Sequence, residues 1–190
     1  MPRWVRFGCR LPLIITLRIR LHRSRLPLCP RCLSSRSQPQ LLARQRRVSE
    51  IGGRFGFVGR FEYRHLRSQT GGAQFGLANA PAEDVLLVYA EAFERDADPE
   101  DFSLEAIIAH ECGHQLLARH PPLRRNLPPA WSEASEEIVA SLLGSLLVQN
   151  EKDQQDLVLK ALFEAAERGM KPDRATPFIM ELRALLEKIL

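Results

Sequence analysis

His110-Glu111-Cys112-Gly113-His114 is the stretch on which the reading of this chain turns. On an α-helix, residues four apart lie about 40° apart around the axis, one turn up. His110 and His114 can therefore aim both imidazoles at one tetrahedral metal ion. Glu111 sits about 100° round from His110, at the edge of the same face, where its carboxylate can take a proton from a metal-bound water. Cys112 is about 200° from His110, which points its thiol away from such a metal and into packing.

The flanking residues read as a buried helix. Ser103 stands at the N-cap position; Ala106, three residues on, occupies the place where a capping box would want Glu or Gln. Ile107, Ile108, Leu116 and Leu117 give the helix an apolar face, and between Ala106 and Ala118 the one charged residue is Glu111. Two histidines and a glutamate in such a setting are costly unless something pairs them.

An open zinc site needs a third protein ligand. His120 stands ten residues after His110, as in the metzincin pattern HExxHxxGxxH, but Leu117 occupies the glycine place and disfavours the left-handed turn. On a straight helix His120 lies about 15 Å along the axis from His110. It then reads as a C-terminal helix residue suited to the dipole, ended by Pro121-Pro122. The other candidate is Glu133, at the start of a helix behind Pro128-Pro129, with 18 residues between it and His114.

HExxH with an 18-residue spacer and a glutamate resembles the gluzincins, the zinc peptidases that include thermolysin and the HExxH-x18-E aminopeptidases. The resemblance covers about residues 103–148. It implies Zn2+ held by His110, His114 and Glu133, with Glu111 as general base and Glu137, four residues after Glu133, supporting a histidine from behind. It also implies a strand before the metal helix that borders the cleft and pairs with an extended peptide or protein substrate. A second register makes Glu136 or Glu137 the ligand. Followed by Ala140-Ser141-Leu142-Leu143, it is similar to the ImmA/IrrE group, small HExxH proteins often tied to repressor regulation or stress response. An acidic first helical turn that simply suits the dipole is the plain alternative for these carboxylates. No Tyr or His follows His120 to serve as the oxyanion donor usual in gluzincins; Arg168, Lys171 or Arg174 remain as cations for that place.

Charge divides the chain. Residues 1–67 hold sixteen Arg, no Lys and two acids, a net +14; residues 68–190 hold eleven Lys plus Arg and twenty-one acids, a net −10. The break reads as a boundary between an Arg-rich, disordered N-terminal extension over 1–67 and a metallopeptidase domain over 68–190. The longest apolar run of the extension, residues 11–17, is far short of the ~20 needed to span a membrane. A signal or organelle transit peptide and a nucleic-acid-binding arm are the other readings of this composition. Cys29-Pro30-Arg31-Cys32 is a lone CxxC and supplies two zinc ligands at most. Four cysteines without regular spacing suit a reducing, cytoplasmic setting.

Within 68–190, Asp84 to Phe93 begins as a buried strand, with a helical reading open from Val88. Helices are expected over 131–148, over 153–168 ended by Gly169, and from Thr176 as N-cap with Pro177 at the first position. The expected fold is α+β: a mostly helical, compact zincin-like domain with a small sheet before the metal helix.

Overall fold

A computed structural model describes residues 37–68, 71–126 and 136–190. The chain is mostly helical with a small sheet, as the sequence leads one to expect. Its elements are α1 (Ser37–Arg54), β1 (Arg60–Arg64), β2 (Ala73–Gly76), β3 (Val85–Tyr89), α2 (Ala90–Arg95), α3 (Leu104–Arg119), α4 (Pro121–Asn126), α5 (Glu136–Leu147), α6 (Glu151–Glu167) and α7 (Pro172–Ile189). Among the described residues no helix is long and apolar enough to cross a membrane. The apolar run of residues 11–17, the Cys29–Cys32 pair, Trp131 and Glu133 lie outside the described residues.

The expected boundary at residue 67 falls inside a folded unit. α1 and everything described after it belong to one compact body. α1 buries Val48 and Ile51 completely or nearly so, and its Gly52 lies so close to the Phe61 ring that an added Cβ would sit 2.2 Å from it. Gln45 brackets β1, donating to the Phe61 carbonyl and accepting from the Tyr63 N–H, both at 2.7 Å. Three of the arginines assigned to the extension are structural. Arg44 donates to the Tyr63 hydroxyl at 2.6 Å and lies over the Phe93 ring, 4.8 Å from its centroid. Arg47 pairs with Asp96 and Arg54 with Glu105. At these positions long arginine stems cover apolar surface while their heads meet aromatic rings and acids of the other half.

The sheet, of three strands among the described residues, has the order β1-β3-β2, with β1 parallel and β2 antiparallel to β3. Val85–Tyr89 is therefore the central strand, with a neighbour on each side, and the outer place falls to β2. The chain turns helical at Ala90, so the strand and helix readings of this stretch are each right over part of it.

α3 is the wall shared by two cores. On one side Ile107, Ile108 and Cys112 pack with Val48, Ile51, Phe57, Leu86 and Val88 beneath α1 and the sheet. On the other, Leu116 and Leu117 pack against a cluster containing Leu142, Leu143, Ile179, Leu182 and Leu186 from α5 and α7. Ser103 caps α3 as expected, accepting from the Ala106 N–H at 3.0 Å. The far end is clamped: buried Asp84 accepts from Arg119 at 2.6 and 3.0 Å and from Gln115 at 2.8 Å. Burial pushes Asp84 up, but hydrogen bonds from Arg119, the Ala78 N–H and Gln115 outweigh it and bring the carboxyl down to about 2.

α7 begins earlier than expected. Pro172 takes the first-turn place that suits proline, and Pro177 lies inside the helix. The missing N–H of Pro177 loses one backbone bond, while starting at Pro172 lets Ala175 join Ile179, Leu182 and Leu186 on the buried stripe.

Candidate metal centre

The site is built where α3 crosses α5, and small residues let that crossing close. A Cβ on Gly113 would lie 2.2 Å from the Ala140 carbonyl oxygen, and one on Gly144 would lie 2.9 Å from the Ala109 carbonyl oxygen and 3.0 Å from the His110 nitrogen. With the two backbones in contact, the first turns of α5 reach the histidine face of α3.

Three side chains converge there. His110 Nε2 and His114 Nε2 are 3.3 Å apart; Glu137 places Oε2 3.1 Å from the first and Oε1 3.4 Å from the second. Ligand atoms bound about 2.0–2.1 Å from a tetrahedral centre stand about 3.3 Å from one another. The separation of the two nitrogens matches that edge length, and Glu137 meets one nitrogen with each carboxylate oxygen, so the three side chains can close round one ion. Among the described residues, this is the group of His, Cys, Asp and Glu side chains that can hold one.

The outer nitrogens are held as metal-ligating histidines require. His110 Nδ1 is 3.1 Å from the buried Ser141 Oγ, and His114 Nδ1 is 3.3 Å from Glu136 Oε1. A metal ion would take the inward Nε2 atoms in place of the hydrogen bonds they give Glu137, with Nδ1–H then donating to these outer oxygens. Burial lowers His110 to about 4, against the raising effect of Glu137. Burial also pulls His114 down, but Glu137, Glu111 and Glu136 outweigh it and raise its pKa. Glu137 is held well below the usual carboxylate range by hydrogen bonds from His110, His114 and Lys160, against the opposing effect of burial.

Glu111 is buried beside the pair, hydrogen-bonded to the Phe75 backbone on β2; burial raises its carboxyl to about 7. Cys112 is on the opposite side, buried in the core, and burial pushes its thiol up.

The sequence-expected residues thus divide. His110, Glu111 and His114 come together. Glu137, expected behind one imidazole, instead faces both inward nitrogens, while Ser141 and Glu136 take the outer ones. Glu133 lies outside the described residues. His120 caps α3 in an extended conformation and is not part of the cluster. Lys160 was not anticipated. Its Nζ reaches Glu137 Oε2 at 3.0 Å, yet in sequence it sits four residues from both Asp156 and Glu164, the pattern of a solvated helix face.

A cleft of about 710 Å³ opens over the cluster, bounded by β2, α3 and α6. Gln74 and Phe75 line one side; Leu159, Lys160 and Phe163 line the other. No family model, curated protein or solved structure matches this chain.

Proposed function

We propose that this protein is a zinc-dependent hydrolase of peptide bonds, with His110, His114 and Glu137 as the residues that would hold the ion. The observation that carries the reading is the convergence of two imidazole nitrogens 3.3 Å apart and a carboxylate that meets both of them, with Glu111 buried beside them. A zinc ion held there supplies an acidified water and polarises the substrate carbonyl. Glu111 accepts the proton of that water and delivers it to the departing amine nitrogen. The Phe75 N–H holds the Glu111 carboxylate in place, and the extended substrate lies in the cleft along β2.

The test is zinc content and peptide hydrolysis of the purified chain and its Glu111→Gln variant. The substitution keeps size and hydrogen bonding but removes the base, so zinc is retained and hydrolysis is abolished. Loss of zinc in that variant would make Glu111 structural.

One observation favours a second reading. The placement of Glu137 against both histidines corresponds to the register that resembles the ImmA/IrrE group. On that reading the protein is a regulatory or stress-response factor on a metallopeptidase scaffold, with narrow or no proteolysis. A wild-type protein that holds zinc but cleaves no member of a broad peptide library would favour it.

A further inference from the structure

α6 runs beside the cluster as the third wall of the cleft. Asp156, Lys160, Phe163 and Glu167 follow one another at three- and four-residue spacing, so they share a helix face, and all four line the cleft. Lys160 is the cation of that face. Its Nζ lies 3.0 Å from Glu137 Oε2 and 3.7 Å from Glu164 Oε1, and the side chain is 30 % exposed, at the surface of the cleft rather than sealed beneath it. Arg95, the other basic residue on the cleft wall, is fully engaged: it forks onto Asp101 with bonds of 2.6 to 3.0 Å and donates to the Gly71 carbonyl at 2.9 Å.

Glu137 cannot serve an ion and the ammonium equally. A divalent ion among His110, His114 and Glu137 repels a second positive charge a few ångströms away. The long lysine stem can turn, and Glu164, one turn on along the same helix, offers a nearby anionic neighbour. Lys160 and Glu164 both line the cleft that opens over the cluster, so an ammonium released from Glu137 stays in that cleft.

We propose that Lys160 is the electrophile of this site: with the ion in place, its Nζ donates a hydrogen bond to the substrate oxygen on which negative charge develops as water adds to the carbonyl. This rests on the metallohydrolase reading above and fills the place that a downstream Tyr or His occupies in gluzincins. Lys160 keeps its proton throughout; its contribution is electrostatic.

The test uses the full chain loaded with Co2+, whose visible absorption reports ligands entering the site, and inorganic phosphate as a tetrahedral oxyanion probe. Metal stoichiometry and helical circular dichroism are expected to be the same in wild type, Lys160→Met and Lys160→Arg. Phosphate affinity is expected to fall about tenfold or more in Lys160→Met, the size of a lost charge-assisted hydrogen bond, and to stay within about threefold in Lys160→Arg. Lys160→Gln serves as the neutral variant if the methionine variant does not fold. Equal phosphate affinity in wild type and the neutral variant overturns the proposal. Loss of metal from the neutral variant also overturns it, because Lys160 would then be a positioning residue for Glu137. A wild-type chain that binds no Co2+ overturns the metallohydrolase reading itself, before phosphate is added.

Discussion

The floor of the cleft and its walls are built by different means. The floor, where α3 meets α5, is set by backbone: Gly113 lies under the Ala140 carbonyl and Gly144 under that of Ala109, and the histidines and Glu137 follow from the closeness of the helices. The α6 wall is set by side chains, with Leu159 50 % and Phe163 68 % exposed. Packing of the first kind tolerates no added atom. The second kind leaves room for exchange without cost to the fold. On the proposed reading, metal binding rests on the floor and substrate selection on the walls, and mutations should separate them.

The largest expected effect comes from forcing the floor apart. Gly113→Ala places a methyl group where the Ala140 carbonyl oxygen already is. The expected loss is about 3 kcal/mol, a fall in Tm of roughly 6–12 °C for a chain of this size, accompanied by weakened zinc binding. Thermal circular dichroism with a zinc-chelator competition checks both. An unchanged Tm would mean the helices do not approach as described.

A similar loss is expected at the far end of α3. Arg119→Ala strands the buried Asp84 carboxylate and should cost about 3 kcal/mol. Asp84 also sets a pH dependence. Its folded pKa, about 2, lies below the ordinary 3.8, so its stabilisation is complete above about pH 4 and is lost as pH falls toward 2. Urea melts across that window should show a steep decline in wild type and a shallower one in Asp84→Asn.

The walls should respond weakly. Phe163→Ser or Leu159→Ser is expected to change stability by no more than about 0.5 kcal/mol, while altering which peptides are cleaved. A large stability loss would show that α6 is part of the floor. Smallest of all, Gly53→Ala in α1 meets nothing within 4 Å and should raise Tm by about 1–2 °C through helix propensity.

The two regions also differ in how far they can be read from sequence. Glu111, the two histidines, the Ser103 cap and the inward Cys112 all follow from the helical period within one element. So do the mostly helical content and the strand before the metal helix. What was missed depends on pairs far apart in the chain. The third carboxylate is ambiguous in sequence because a helix through Glu133, Glu136 and Glu137 would put all three on one broad face, and only the approach of α5 to α3 decides which of the described pair meets the inward nitrogens. Lys160 carried no local signal, since its partner Glu137 is 23 residues away. α1 was hidden by composition. Its Leu41, Val48 and Ile51 spacing is helical, but arginine-rich segments without acids ordinarily stay unfolded. Here the compensating acids, Asp96 and Glu105, are supplied from the other half of the chain.

On the proposed function, His110, His114 and Glu137 form one metal site. Zinc affinity measured by chelator competition in wild type, His110→Ala, Glu137→Ala and Glu133→Ala tests it most directly. One zinc per wild-type chain is expected, with its loss in His110→Ala, a fall of at least about tenfold in Glu137→Ala, and near wild-type affinity in Glu133→Ala. Wild-type affinity in Glu137→Ala, with the loss appearing in Glu133→Ala instead, would contradict it.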